Sequence, residues 1–360
     1  MGEILGVGLT HYPPLRGTPA QFTDTLRSAL RSPVVPEAMK HPENWPDAMR
    51  AEWENQGTLA LQHQQRLKAA FYQVRAAIDA FKPDAIVIFG DDQYENFKED
   101  LIPPFCTYLF EETESRPFTV GGYGRKGQNA WGEGEDTVFH HKGNRPLGTH
   151  IATELIENGF PISYSLVNSH YAQNGPTMLT HAFLNTLMYL DWDRKGFDYP
   201  IVPIQVNCYG KDVVPSRGRN AHLDPAMRAL PFGEIDAPPG PTPATCFELG
   251  ARVYDILSKT SGRYVIMGSS GWSHAFLVGK HSWLYPDVET DRQRWQNVLD
   301  GTESTWAAIT NAEIHDAGEQ EFKNWICLAG AMQGRRAQPL DYLETYVFNS
   351  NKAFALFPAP

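Results

Sequence analysis

The chain has 360 residues, 42% of them hydrophobic and 20% charged, and carries a formal net charge of -11. That length accommodates one large α/β domain or two modest ones around a sizeable core. The acidic balance, without clustered Lys and Arg, argues against nucleic acid as a partner. No run approaches the ~20 apolar residues of a membrane span. The opening MGEILGVGLTHYPPL has neither a basic leader nor a long apolar stretch, so a cytoplasmic protein is expected. Cys106, Cys208, Cys246 and Cys327 lie far apart with no CxxC pair, which fits buried free thiols better than a zinc knuckle or a disulfide framework.

In chain order, GEILGVGLTH is predicted to be a strand running into His11 and the turn at Tyr12-Pro13-Pro14. Residues 17–56 are polar and punctuated by proline, with short helical pieces at best. Apolar residues at helical spacing predict an amphipathic helix over Leu59 to Phe81. The continuous apolar run AIVIF, Ala85 to Phe89, suits a strand buried on both faces, and it stops at Gly90-Asp91-Asp92-Gln93. The rhythm repeats. Thr149 to Asn158 reads as helix and Ile162 to Val167 as a strand ending at Asn168-Ser169-His170. Pro176 to Leu190 reads as helix and Ile201 to Val206 as strand. Residues 209–244 form an excursion rich in Pro, Gly and Arg. Phe247 to Lys259 reads as helix, and Tyr264 to Met267 as a strand ending in Gly268-Ser269-Ser270-Gly271-Trp272-Ser273-His274. This alternation implies an α/β fold with a mostly parallel or mixed central sheet flanked by helices, in a single elaborated domain over residues 1–360.

Four of these strands end in residues with metal-binding or acid/base capability: His11, the Asp91-Asp92-Gln93 cluster, His170 and His274. Carboxyl ends of parallel strands share one edge, so these groups are expected to converge. A lone strand-end histidine more often satisfies backbone groups; three after three separate strands weaken that bland reading.

These residues carry a resemblance. GVGLTHYPPL (Gly6 to Leu15), DAIVIFGDDQYENF (Asp84 to Phe97) with Ile102 to Cys106 (IPPFC), Asn168 to Gln173 (NSHYAQ), YVIMGSSGWSH (Tyr264 to His274) and Glu321 to Trp325 (EFKNW) follow one another in the order found in the class III extradiol ring-cleavage dioxygenases, of the protocatechuate 4,5-dioxygenase beta subunit and 2,3-dihydroxyphenylpropionate 1,2-dioxygenase type. The resemblance runs from residue 5 to about residue 357, with the stretches 15–55 and 209–244 poorly matched. It implies a non-heme Fe(II) enzyme that opens a catechol-like ring with O2, and a possible homo-oligomer. His11 and Glu321 would be metal ligands, His274 the proton-transfer group, and His170 a hydrogen-bond partner of substrate or oxygen. The family's second histidine ligand falls on Gln93, and this chain departs from the pattern there. Gln93 would ligate through its amide oxygen, or Asp91 or Asp92 would replace it, or redox chemistry would be lost. The last case leaves a hydrolase or C–C lyase, or a metal-free binding protein, on the same scaffold.

Other features weigh less. His140-His141 is expected in a turn beside Gly143-Asn144, its two rings pointing apart. Ser269 to Ser273 lacks the GxSxG of a nucleophile elbow. Gly121 to Lys126 does not satisfy phosphate-loop spacing. Arg217, Arg219 and His222 fit solvated surface charge better than a substrate carboxylate site.

Overall fold

A computed structural model describes residues 1–98, 101–118, 129–167, 179–210 and 238–359. The strands are β1 (Glu3–Leu9), β2 (Ala85–Asp91), β3 (Phe105–Tyr108), β4 (Glu112–Ser115), β5 (Phe139–Lys142), β6 (Ser163–Ser165), β7 (Ile201–Val206), β8 (Arg263–Ser269), β9 (Gln338–Leu343) and β10 (Lys352–Phe357). The helices are α1 (Asp24–Leu30), α2 (Asp47–Glu54), α3 (Gln56–Phe81), α4 (Arg145–Glu157), α5 (His181–Leu190), α6 (Pro243–Ser258), α7 (Val288–Asp300), α8 (Asn311–Ala317) and α9 (Lys323–Ala331).

Eight strands form one mixed sheet in the order β6-β3-β7-β2-β8-β1-β10-β9, and β4 pairs with β5 in a separate ribbon. The centre, β7-β2-β8-β1, is parallel throughout. Every residue of β2 and β7 is buried, as a strand covered by helices on both faces requires. The α/β sheet expected from the strand–helix alternation is therefore present. The antiparallel additions β10 and β9, and β3 against β7, had no comparable signal.

Two helices take opposite faces of that centre, and the glycines show which. A side chain at Gly8 or Gly268 would collide with Trp325 or with the backbone and side chains of α9, whereas one at Gly90 would collide with Phe183 of α5. Gly268 pairs with Phe89, whose neighbour Gly90 points the other way. Helices α9 and α5 thus sandwich the strand ends. Helix α3 buries Ala60, Leu67, Ala70, Phe71, Val74 and Ile78 along one stripe. It stops at Lys82, which takes the left-handed conformation (φ 51°) before Pro83. Helix α6 starts four residues earlier than its apolar pattern suggests, because Thr242 caps it and Pro243 opens the first turn. His140 and His141 lie in strand β5 opposite β4, a correction to the expected turn; the pleat places their side chains on opposite faces. All four cysteines are free and buried. Among the described residues no helix is long and apolar enough to cross a membrane.

Candidate metal centre

Because β1, β2, β7 and β8 run parallel, the chain leaves all four at the same edge. There β1 passes into His11, β2 delivers Asp91 to Gln93, β7 leads to Tyr209, and β8 leads through Gly271 to His274. Glu321 arrives from a short 3-10 turn, Gln320–Phe322, at the entrance to α9. His11, Gln93, His274 and Glu321 are all buried and gather in one place. His170, the other expected site residue, lies outside the described residues, as do Gly121 to Lys126, Arg217, Arg219 and His222.

Glu321 is the hub. Its Oε1 accepts from the amide nitrogen of Gln93 (3.0 Å) and from the Tyr209 hydroxyl, and lies 3.5 Å from His274 Nε2. Its Oε2 accepts from the Gly271 N–H (3.1 Å) and lies 3.3 Å from His11 Nε2. Burial alone would raise its carboxyl, but the imidazoles of His274, His11 and His181 outweigh it, so Glu321 stays ionised far below the ordinary carboxylate range.

The rings are oriented by their other nitrogens. The Ser269 hydroxyl donates to the Ala182 carbonyl (3.2 Å) and so accepts from His11 Nδ1 (3.0 Å), a tautomer assigned from this network. His11 Nε2 then presents a lone pair to Glu321 and, at 3.8 Å, to Asp91 Oδ1. His274 Nδ1 donates to the Trp272 carbonyl (2.8 Å), which likewise leaves Nε2 as a base facing Glu321. Burial lowers both rings below the usual histidine range, more than Glu321 raises them.

Two carboxylates of the β2 end behave differently. Asp92 accepts the Glu95 and Asn96 N–H groups (2.8 Å each) and closes the turn, with burial pushing it up to about 7. Asp91 takes the Asn324 amide on Oδ1 (3.2 Å), but its fully buried Oδ2 has no hydrogen-bond partner among the described residues. Burial, then the charge of Glu321, raises its carboxyl.

The residue that sequence reasoning missed is His181, at the head of α5. Its backbone N–H and its Nδ1 both meet Glu95 (2.7 and 2.9 Å), and its Nε2 stands 3.8 Å from Asp91 Oδ2. Burial opposes its protonation, but Glu95, Asp91 and Glu321 together raise it to about 9. The only trace in the sequence is an imidazole opening the mostly apolar stretch HAFLNTLMYL. Ligand atoms of His11, Asp91, His181 and Glu321 all lie within 4.8 Å of one another, a donor set of imidazole nitrogen and carboxylate oxygen that suits a divalent transition metal.

No family model matches the chain. It is 26% identical over 226 residues to a 2,3-dihydroxyphenylpropionate/2,3-dihydroxicinnamic acid 1,2-dioxygenase of Photorhabdus laumondii, covering 63% of this chain and 54% of that one. The protein of the same name from Comamonas testosteroni is 25% identical over 216 residues, 60% and 51% of the two chains. A shorter match, 55% identical over 40 residues, joins it to the Rhodococcus globerulus protein of that name, 11% and 13% of the two chains. The crystal structure of an uncharacterized protein from Escherichia coli K12 superposes with a TM-score of 0.43 at 11% identity, over 76% of this chain and 86% of that one. The longer matches span about half the length of the curated relatives, and those relatives are dioxygenases by name.

Proposed function

We propose that this chain is a non-heme Fe(II)-dependent dioxygenase that opens the ring of a catechol-like or related phenolic substrate with O2. The observation that carries the reading is the buried set His11, Glu321 and His274 at the carboxyl edge of the parallel strands, in a chain similar to ring-opening dioxygenases. The donors fit a metal: the His11 imidazole, the ionised Glu321 carboxylate, and a buried Asp91 oxygen without a hydrogen bond among the described residues. His11 and Glu321 would hold it. Iron held there would supply a single centre for the diphenol and O2 and a path for electron density between them.

The chain's own residues supply the rest. Gly271, Gln93 and Tyr209 hold the Glu321 carboxylate from three sides and so set its direction. His274 Nε2, a base because Nδ1 is committed to a carbonyl, takes a phenolic proton and returns it as the ring opens. The diphenol supplies the electrons and both oxygen atoms enter the product, so no external reductant is needed.

Gln93 motivates a second reading, a non-oxidative metalloenzyme, because its amide nitrogen and not its oxygen faces Glu321. Protein purified without oxygen separates the two. Iron near one per chain with O2 uptake on a diphenol supports the dioxygenase; zinc with no uptake supports the alternative; no metal at all overturns both.

A further inference from the structure

We propose that the second imidazole of this metal centre is His181, delivered by helix α5, and that Gln93 positions Glu321 instead of ligating. The inference rests on the reading of His11 and Glu321 as metal ligands given above, and it names a ligand from an element that does not belong to the strand-end set.

Geometry is the first support. First-row ions sit roughly 2.0–2.2 Å from nitrogen and oxygen donors, so donors of one ion lie within roughly 4.4 Å of each other. The four groups His11, Asp91, His181 and Glu321 are within 4.8 Å. Closing them on an ion takes side-chain shifts of about a few tenths of an ångström. Orientation is the second. Glu95 grips His181 by both Nδ1 and the backbone N–H, which aims Nε2 at Asp91. A ligating histidine characteristically gives its other ring N–H to a carboxylate in this way. The third is Asp91 itself, fully buried with Oδ2 lacking a hydrogen bond among the described residues, a costly state that a cation relieves.

Gln93 is used differently. Its amide N–H groups meet Glu321 Oε1 and the Tyr209 hydroxyl, and a donor so directed serves the carboxylate and not a cation. The histidine that the resemblance places at 93 is therefore replaced from helix α5. His11, His181 and Glu321 restore two imidazoles and one carboxylate, the combination suited to Fe(II) with open positions for substrate and O2.

The test uses the full chain, cobalt(II) as the binding probe, and copper(II) with pulsed electron paramagnetic resonance to count coordinated imidazoles. Wild type is expected to show two imidazoles, and to keep two in His274→Ala. His181→Gln should show one and lose cobalt affinity by more than about 100-fold, beyond the ~10–100-fold of an outer hydrogen-bond partner. Gln93→Ala should keep two imidazoles and lose about 10–100-fold at most. A single imidazole in wild type overturns the assignment whether or not His181→Gln folds. So do two imidazoles in His181→Gln, or a loss in Gln93→Ala as large as in His181→Gln. Failure of the two readings is distinguishable. Metal held through His181 with no O2 uptake on any diphenol keeps this ligand set and removes the dioxygenase. Ring opening with undiminished cobalt affinity in His181→Gln does the reverse.

Discussion

Single side chains at the strand edge are sorted by what each ring's Nδ1 meets: a serine hydroxyl for His11, a carbonyl for His274, a carboxylate for His181. Each partner points Nε2 into the same volume, but only His274 combines that aim with a place outside the four-residue donor set. His274→Ala should therefore slow O2 uptake by about 10²–10⁴-fold while iron content stays near wild type. Metal lost together with activity would make His274 a ligand. Glu321→Ala should strip the metal outright, read as iron per chain after anaerobic purification; full occupancy would refute the assignment. His11 and His274 were legible in the sequence because each follows a predicted strand, whereas Glu321 was named by the family resemblance alone. His181 was not, because a buried histidine within an apolar helix carries no local mark of what it faces.

At the level of elements, α6 and α9 touch backbone to backbone. A Cβ at Gly250 would collide with the Cys327 carbonyl, and one at Gly330 with the Phe247 carbonyl. Gly250→Ala should cost about 1–3 kcal/mol by overpacking. It should also lower metal occupancy, since pushing α9 away moves Glu321 at its entrance; denaturant midpoints and iron content check both. Helix α3 carries a pH-dependent element. His63 is buried edge-on to Phe348, its ring centroid 4.9 Å away, and burial, then Lys352 and Arg66, lowers it to about 3. The unfolded chain binds a proton there below about pH 6.5 that the folded chain refuses. Stability is full above that pH and falls toward pH 3, by up to about 1.4 kcal/mol per unit from this group. His63→Leu should flatten the loss between pH 6.5 and 4.5 in denaturant titrations; an unchanged slope would clear His63 of the effect.

For the whole molecule, a metal bound by the folded chain alone couples to global stability. At free metal 100 times its dissociation constant, loading should add about 2.7 kcal/mol. The melting temperature should rise with Fe(II) or Co(II) under nitrogen, fall with chelator, and respond to neither in Glu321→Ala. A response in Glu321→Ala as large as in wild type would place the metal elsewhere. The sequence by itself determined the parallel centre of the sheet, because strands such as Ala85 to Phe89 are apolar at every position, and a continuous run has one stable environment, between two helical layers. With the parallel order came the common edge, and so the meeting of His11, Gln93 and His274; Glu321, named by the resemblance alone, reaches them from the entrance to α9. Tertiary structure alone decided the antiparallel strands β9 and β10, whose pairing depends on long-range register. It alone decided which end of the Gln93 amide meets Glu321, and that Asp92 closes a turn while Asp91 faces the cluster. It also brought His181 across from the opposite face of the sheet. Local pattern encodes burial and period, whereas the direction of a side chain relative to groups a hundred residues away is settled only when the layers pack.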